Sequence, residues 1–369
     1  MDKKIFERID FALIALILIA LIICFIFAGH YNGILTDLGR EMVYPEQILK
    51  GKVLYKDLFN IYGPMAYMLN AFWYKILGIR LETLYAVGTV LLIFYSAGIY
   101  CVSRIFLDKK MSFIISLVGI VTLGASVNIF NFTLPYSQAV TYGVTFFVWS
   151  IYFLLRFYDE KQSLFFINAG LFAGLAIANK YEFIPYGLLV FAIIIAEFLK
   201  NKKLGIRALS AFCAPIILCF SILFIQGLKI SELLDTFDIL NKIAHTQTLK
   251  AFYQSVGVMF SFKVLYLDFV ALIKSGIIFA IIFGIIKLRQ KHKIFAVISA
   301  VPIFPIICAA MLKDIQQDFL YLPLLLLVIF AVCYKKLSFL KRTLIVSALL
   351  LCFKTFWAFV IYSYGSFYL

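Results

Sequence analysis

The chain has 369 residues, of which 64% are hydrophobic and 14% charged, with a formal net charge of +15 and a mean hydropathy of +1.01. A water-soluble domain of this length could not enclose so much apolar surface, so the composition indicates a polytopic membrane protein. The basic residues are divided among many short loops, which excludes a nucleic-acid-binding surface and favours contact with anionic membrane lipids.

A membrane-spanning helix needs about 20 mostly apolar residues. Eleven segments of the sequence fit that pattern, and they predict an all-α bundle of about 11 transmembrane helices. In chain order they are 10–29, 83–103, 111–130, 138–157, 164–179, 184–200, 208–228, 266–286, 294–312, 319–334 and 344–362.

The distribution of Lys and Arg predicts the orientation of the bundle. The N-terminus and every second loop after it form six basic regions, which hold 20 of the 34 Lys and Arg residues. The connections between them, such as NFTLPYSQ, hold almost none. Because cytoplasmic loops carry the excess of positive charge, we expect the N-terminus inside and the C-terminus outside.

With this orientation, two long loops lie on the external face, at 30–82 and 229–265. No soluble domain, linker or repeat is visible, so residues 1–369 are predicted to form a single transmembrane domain. In the second loop, Ser231 precedes ELLDTFDILNKI, a pattern typical of a capped amphipathic helix.

The first external loop contains its own predicted helix, from Pro64 to Leu77. Proline favours the first turn of a helix, and Gly78 is a typical stop. Fourteen residues at about 1.5 Å each extend over roughly 21 Å, too short to cross a hydrocarbon core of about 30 Å. We therefore expect this helix to lie along the external interface.

The same loop concentrates carboxylates. Asp37 and Glu41 are four residues apart and share one face if the segment is helical, and Asp57 follows in YKDLFNIYGP. Neighbouring carboxylates raise one another's pKa, which suits a general base. The alternative is that they are solvated loop acids paired with nearby cations such as Arg40.

This loop resembles the first external loop of polyprenyl-phosphate-dependent glycosyltransferases of the GT-C fold, in the bacterial protein-mannosyltransferase and aminoarabinose-transferase superfamily. The similarity rests on the pattern D-x-G-R-E and on the stretch ILKGKVLYKDLFNIYGPMAYMLNAFWYKILG, about 50 residues in all. Weaker patches are NKYEFIPYG and DIQQDFLYLP.

The resemblance implies a GT-C-like fold and an inverting transfer from a polyprenyl-phosphate sugar to an acceptor hydroxyl on a lipid, glycan or protein. It implies that Asp37 is the catalytic base. It also implies an enzyme of the bacterial inner membrane, with its active site on the external face. The residues expected to bind substrate are Arg40, Glu41, Tyr55, Asp57, Tyr62, Lys180 and Glu182.

Lys180 and Glu182 lie where the fifth span should end. A lysine at membrane depth is costly and usually faces the interior of the bundle, where it could hold the phosphate of a lipid-linked donor. An ordinary Lys–Glu turn at a helix junction is the alternative. Arg40 and Lys250 are further candidates for the phosphate.

No cofactor is predicted for this chain. Many relatives have a second acid in the next external turn, whereas here that turn is NFTLPYSQ, without a carboxylate. A divalent cation, Mg²⁺ or Mn²⁺, therefore stays an open alternative without support from a second external acid.

Two other functions fit a polytopic protein that handles lipid-linked glycans. A transporter or flippase would be expected to have inverted repeats or acids within its spans. A polymerase of the O-antigen type would place its large loops late in the chain rather than directly after the first helix.

Overall fold

The computed structural model describes residues 10–28, 38–125, 131–133, 137–248, 250–251 and 322–351, with six isolated positions between 262 and 284. In these parts of the chain the structure is helical, with connecting turns and one isolated bridge between Leu54 and Leu58. The prediction of an all-α membrane protein is confirmed. The chain divides into two compact units, Met1–Asn241 and Lys242–Leu369.

The first unit contains nine helices among its described residues, and a tenth helix runs just past its end. They are α1 (Phe11–Phe27), α2 (Leu38–Leu49), α3 (Met65–Leu77), α4 (Leu81–Phe106), α5 (Lys109–Gly124), α6 (Gln138–Glu160), α7 (Ser163–Asn179), α8 (Ile184–Lys200), α9 (Lys202–Ile225) and α10 (Ile230–Ala244).

Among the described residues of this unit, four stretches are long and apolar enough to cross a membrane: α4, α6, α9, and α8 together with the 3₁₀ turn before it, Tyr181–Lys200. Helices α1 and α7 are apolar but shorter, with 17 residues each. The predicted spans 266–286 and 294–312 lie outside the continuously described residues. The total of eleven spans therefore stays a prediction.

Side chains cap several helices where the sequence changes from polar to apolar. Asp108 caps α5 by accepting a hydrogen bond from the Met111 amide, and Asn201 caps α9 by accepting one from the Leu204 amide. Asp10 caps α1 and also binds Lys109 at 2.8 Å. Asp10 therefore fixes the start of α1 to the start of α5.

Helix α7 packs against α6 and α9 through small residues. At Gly174, a Cβ atom would lie only 2.0 Å from the Phe212 carbonyl oxygen of α9. The backbones of these two helices thus approach to a distance that only glycine permits at this position. This packing fixes the end of α7, from which the Lys180 segment continues.

Helix α3 confirms the short helix predicted in the first loop. It follows Pro64 and ends at Gly78, whose φ of +94° suits glycine. Its thirteen residues extend over about 20 Å. Tyr67 and Tyr74 are buried, whereas Phe72 and Ile76 are more than half exposed. One face of α3 therefore packs against the rest of the protein, and the opposite face exposes apolar side chains.

The cap predicted for α10 is wrong by two residues. The helix begins at Ile230, so Ser231 lies inside it. The carboxylate of Glu232 accepts a hydrogen bond from the Lys229 amide at 2.8 Å, which satisfies an amide that the helix leaves unpaired.

In the second unit the structure describes residues 242–248, 250–251, the six isolated positions and 322–351. In the last of these ranges, α11 (Leu322–Cys333) and α12 (Phe339–Leu351) pack on each other. Helix α11 lies within the predicted span 319–334. Helix α12 begins before the predicted span 344–362, and the remainder of that span lies outside the described residues.

Candidate active site

The loop between α2 and α3 folds into a tight turn around Tyr55. The Tyr55 amide donates to the Leu58 carbonyl at 2.8 Å, and the Asp57 carboxylate accepts from the Val53 amide at 2.8 Å. Tyr55 has a φ of +67°, in the left-handed region. That conformation costs a residue with a Cβ roughly 1–2 kcal/mol, so the surrounding contacts must hold it in place.

Tyr62 is held by hydrogen bonds on both sides of its backbone. Its carbonyl oxygen accepts from the Tyr55 hydroxyl at 2.6 Å and from the Asn60 amide nitrogen at 2.8 Å. Its own amide donates to the Asn60 side-chain oxygen at 3.1 Å. The position of the Tyr62 ring is therefore set by the loop.

Gly63 brings this loop against the end of α7. A Cβ atom at position 63 would lie 2.1 Å from the Ala178 carbonyl oxygen and 2.9 Å from the Asn179 carbonyl carbon. Only glycine permits so close an approach, and the next residue of that segment is Lys180. Tyr62 and Lys180 are neighbours for this reason, although far apart in sequence.

Two cations lie over the Tyr62 ring. The Arg40 guanidinium carbon is 4.9 Å from the ring centroid and the Lys180 Nζ is 5.1 Å from it. These are cation–π distances. Lys180 is only 3% exposed and pairs with the Glu182 carboxylate at 3.0 Å, whereas Tyr62 is half-buried. We call Arg40, Tyr62 and Lys180 the cation cluster.

Glu41 lies beside the cation cluster and is completely buried. One carboxylate oxygen accepts from the Tyr67 hydroxyl at 2.9 Å, and the other accepts from the Gln138 amide at 3.1 Å. The Arg40 guanidinium is 3.6 Å away. Burial raises the pKa of Glu41 to about 7, and Arg40 and the two hydrogen bonds limit that rise.

The structure brings together six of the eight predicted site residues: Arg40, Glu41, Tyr55, Tyr62, Lys180 and Glu182. Asp57 is exposed and stabilises the turn that places Tyr55. Asp37 lies outside the described residues, one position before the first residue of α2.

Sequence reasoning missed four polar partners of this site: Asn60, Tyr67, Gln138 and Tyr181. Gln138 is the first residue of α6, where a free amide at a helix N-terminus favours an anion. The sequence shows that α6 begins near Gln138, but it does not show which carboxylate this helix N-terminus binds.

A metal site finds no support among the described residues, which contain no group of three His, Cys, Asp or Glu side chains placed to hold an ion. Glu41 and Glu182 are each paired with a cation of the cation cluster.

The helical fold, the apolar spans and the buried charges define an integral membrane protein with a polar site at the ends of its helices. Residues 62–223 match the model of the dolichyl-phosphate-mannose-protein mannosyltransferase family, which confirms the resemblance seen in the sequence. A match to this family implies a membrane glycosyltransferase that uses a lipid-linked sugar donor.

The matched residues include Tyr62, Lys180 and Glu182 but begin after Asp37, Arg40 and Glu41. No curated protein and no solved structure matches the chain.

Proposed function

We propose that this protein transfers a sugar from a polyprenyl-phosphate donor to an acceptor hydroxyl, with inversion at the anomeric carbon. The observation that carries the proposal is the convergence of Arg40 and Lys180 on the half-buried ring of Tyr62. When the sugar is transferred, the polyprenyl phosphate leaves with an additional negative charge, and two neighbouring cations near the membrane surface would stabilise that charge.

In the proposed reaction the carboxylate of Asp37 takes the proton of the acceptor hydroxyl. The acceptor oxygen then forms a bond to the anomeric carbon from the face opposite the phosphate. The bond between that carbon and the phosphate oxygen breaks, and its electron pair leaves with the polyprenyl phosphate. Arg40 and Lys180 stabilise the charge that develops on the leaving phosphate.

The other site residues have supporting parts in this proposal. Asp57 and Tyr55 shape the loop that carries Tyr62, and Glu182 pairs with Lys180. Glu41 lines the base of the cluster, at the contact between α2 and the start of α6. The prenyl chain of the donor would lie against exposed apolar side chains such as Phe72 and Ile76 of α3.

We place this site on the external face of the bacterial inner membrane, with the N-terminus in the cytoplasm. The distribution of basic loops supports this orientation. A periplasm-dependent reporter enzyme fused after Gly78 should be active, and the same reporter fused after Lys110 or Lys203 should be inactive. Activity after Lys110 together with inactivity after Gly78 would reverse the orientation.

The function can be tested in a deletion strain of the native bacterium by intact-mass analysis of its envelope glycolipids and glycans. We expect one envelope component to lose the mass of a single sugar residue and to regain it with the wild-type gene. Complementation with the Asp37→Asn variant should leave the component unmodified. An envelope composition that is identical with and without the gene would contradict the proposal.

A further inference from the structure

We infer that the hydroxyl groups of Tyr55 and Tyr181 form a hydrogen-bonded clasp that holds Tyr62 and Lys180 of the cation cluster together. Both tyrosines are then positioning residues for the donor phosphate. The inference rests on the proposed function, because it assigns a role at the same site. It adds Tyr181, which was not among the predicted site residues, and it places Tyr55 behind the site rather than in contact with substrate.

The clasp joins two segments that are remote in sequence. The Tyr55 and Tyr181 hydroxyl oxygens are 3.0 Å apart. Tyr55 belongs to the loop that ends in Tyr62, and Tyr181 directly follows Lys180. Each tyrosine therefore adjoins one partner of the cation–π contact between Tyr62 and Lys180.

Hydrogen-bond counting gives the direction of the clasp. A tyrosine hydroxyl has one proton to donate, and the Tyr55 proton goes to the Tyr62 carbonyl at 2.6 Å. Tyr181 must therefore donate to the Tyr55 oxygen. The result is a chain of bonds from Tyr181 through Tyr55 to the backbone of Tyr62, with Asn60 filling the second lone pair of that carbonyl.

The surroundings of Tyr55 support a positioning role. Tyr55 is only 5% exposed, and its ring stacks on Phe220 of α9 with centroids 6.1 Å apart. Burial raises the pKa of the Tyr55 hydroxyl well above its ordinary value, so the group stays a neutral donor at physiological pH. Because the Tyr55 side chain is enclosed in this way, it affects the donor phosphate through Tyr62 and not by direct contact.

The left-handed backbone conformation of Tyr55 also supports a positioning role. Residues with a Cβ adopt positive φ rarely, and such conformations persist where the surrounding structure enforces them. Here the conformation is enforced by the bond from the Tyr55 amide to Leu58 and by the hydroxyl bonds at the far end of the ring. The turn thereby directs the hydroxyl toward Tyr62 and Tyr181.

The inference predicts the effect of removing either hydroxyl. In Tyr55→Phe and in Tyr181→Phe, the affinity for radiolabelled polyprenyl phosphate in detergent micelles should fall by about tenfold, as for other residues coupled through direct contact. The double variant should bind no more weakly than the worse single variant, because both hydroxyls serve one chain of bonds. In a Lys180→Gln background, Tyr181→Phe should have no further effect.

Tyr100→Phe is the matched control. It removes the hydroxyl of a tyrosine that is as buried as Tyr55 and that donates to Asp10. Tyr100 lies near the end of α4, remote in sequence from the first loop. We expect Tyr100→Phe to lower the thermal unfolding temperature about as much as the clasp variants do, while leaving the affinity for polyprenyl phosphate unchanged. This comparison separates loss of stability from loss of positioning.

The outcomes distinguish failure of the inference from failure of the proposed function. If the wild-type protein binds no polyprenyl phosphate, the proposed function is wrong, and the clasp has no phosphate to position. If the wild type binds and both clasp variants bind equally well, only the inference is wrong. Independent, multiplying losses in the double variant would also overturn it. If a Phe variant fails to fold, Tyr181→Phe and Tyr55→Phe each serve as the substitute for the other.

Discussion

Replacing Asp37 with Asn should reduce sugar transfer by about 10²- to 10⁴-fold, the usual effect of removing a general base. Asn is nearly isosteric with Asp, so the variant should insert into the membrane at wild-type level, but its amide cannot accept the acceptor's proton. The measurement is transfer from a polyprenyl-phosphate sugar pool in isolated membranes, with the protein level determined by immunoblot.

Two matched changes accompany this variant. Glu46→Gln should be nearly silent, because Glu46 pairs with Lys50 on the exposed side of α2. Asp57→Asn should have an intermediate effect, since its carboxylate accepts from the Val53 amide and Asn keeps one acceptor oxygen. Full activity in Asp37→Asn together with loss of activity in Asp57→Asn would move the base to Asp57.

Lys180→Ala should weaken donor binding by about 10- to 100-fold, which corresponds to the roughly 1.5–3 kcal/mol of a hydrogen bond to a charged group. Lys180 is almost fully buried and lies over the Tyr62 ring. Water molecules that enter the space left by its side chain would therefore stabilise the donor phosphate less well than the ammonium group does. The change should appear in the KM for the donor, measured with saturating acceptor.

Lys50→Ala is the control for Lys180→Ala, because Lys50 is exposed and pairs only with Glu46 among the described ion pairs. We expect wild-type kinetics for this variant. If Lys180→Ala also had wild-type kinetics at a normal protein level, Lys180 would not belong to the donor site, and the junction between α7 and α8 would be an ordinary Lys–Glu turn.

The helices could be predicted from the sequence because their signals are local. The apolar run of α4 and the stop at Gly78 each depend on a few adjacent residues. The break at Lys180 was also visible, since a charged pair interrupts two apolar runs. The short length of α3, together with the alternation of the basic loops, predicts that it does not cross the membrane.

The geometry of the candidate site could not be predicted, because it depends on contacts between segments that are distant in the sequence. Nothing local indicates that Gly63 packs on the backbone at Ala178 or that Tyr55 meets Tyr181. Glu41 is the clearest example. As a loop acid it would be ionised and solvated, whereas burial against Tyr67 and Gln138 raises its pKa to about 7.

The most direct test of the proposed glycosyltransferase activity uses purified protein in proteoliposomes. The donor would be a polyprenyl-phosphate sugar labelled separately in the sugar and in the phosphate, and the acceptor an envelope extract of the deletion strain. We expect the sugar label to move to the acceptor while the phosphate label stays on free polyprenyl phosphate, and both products to form about 10²- to 10⁴-fold more slowly with Asp37→Asn. Movement of both labels together across the bilayer, with the bond between them intact, would contradict this function and identify a transporter.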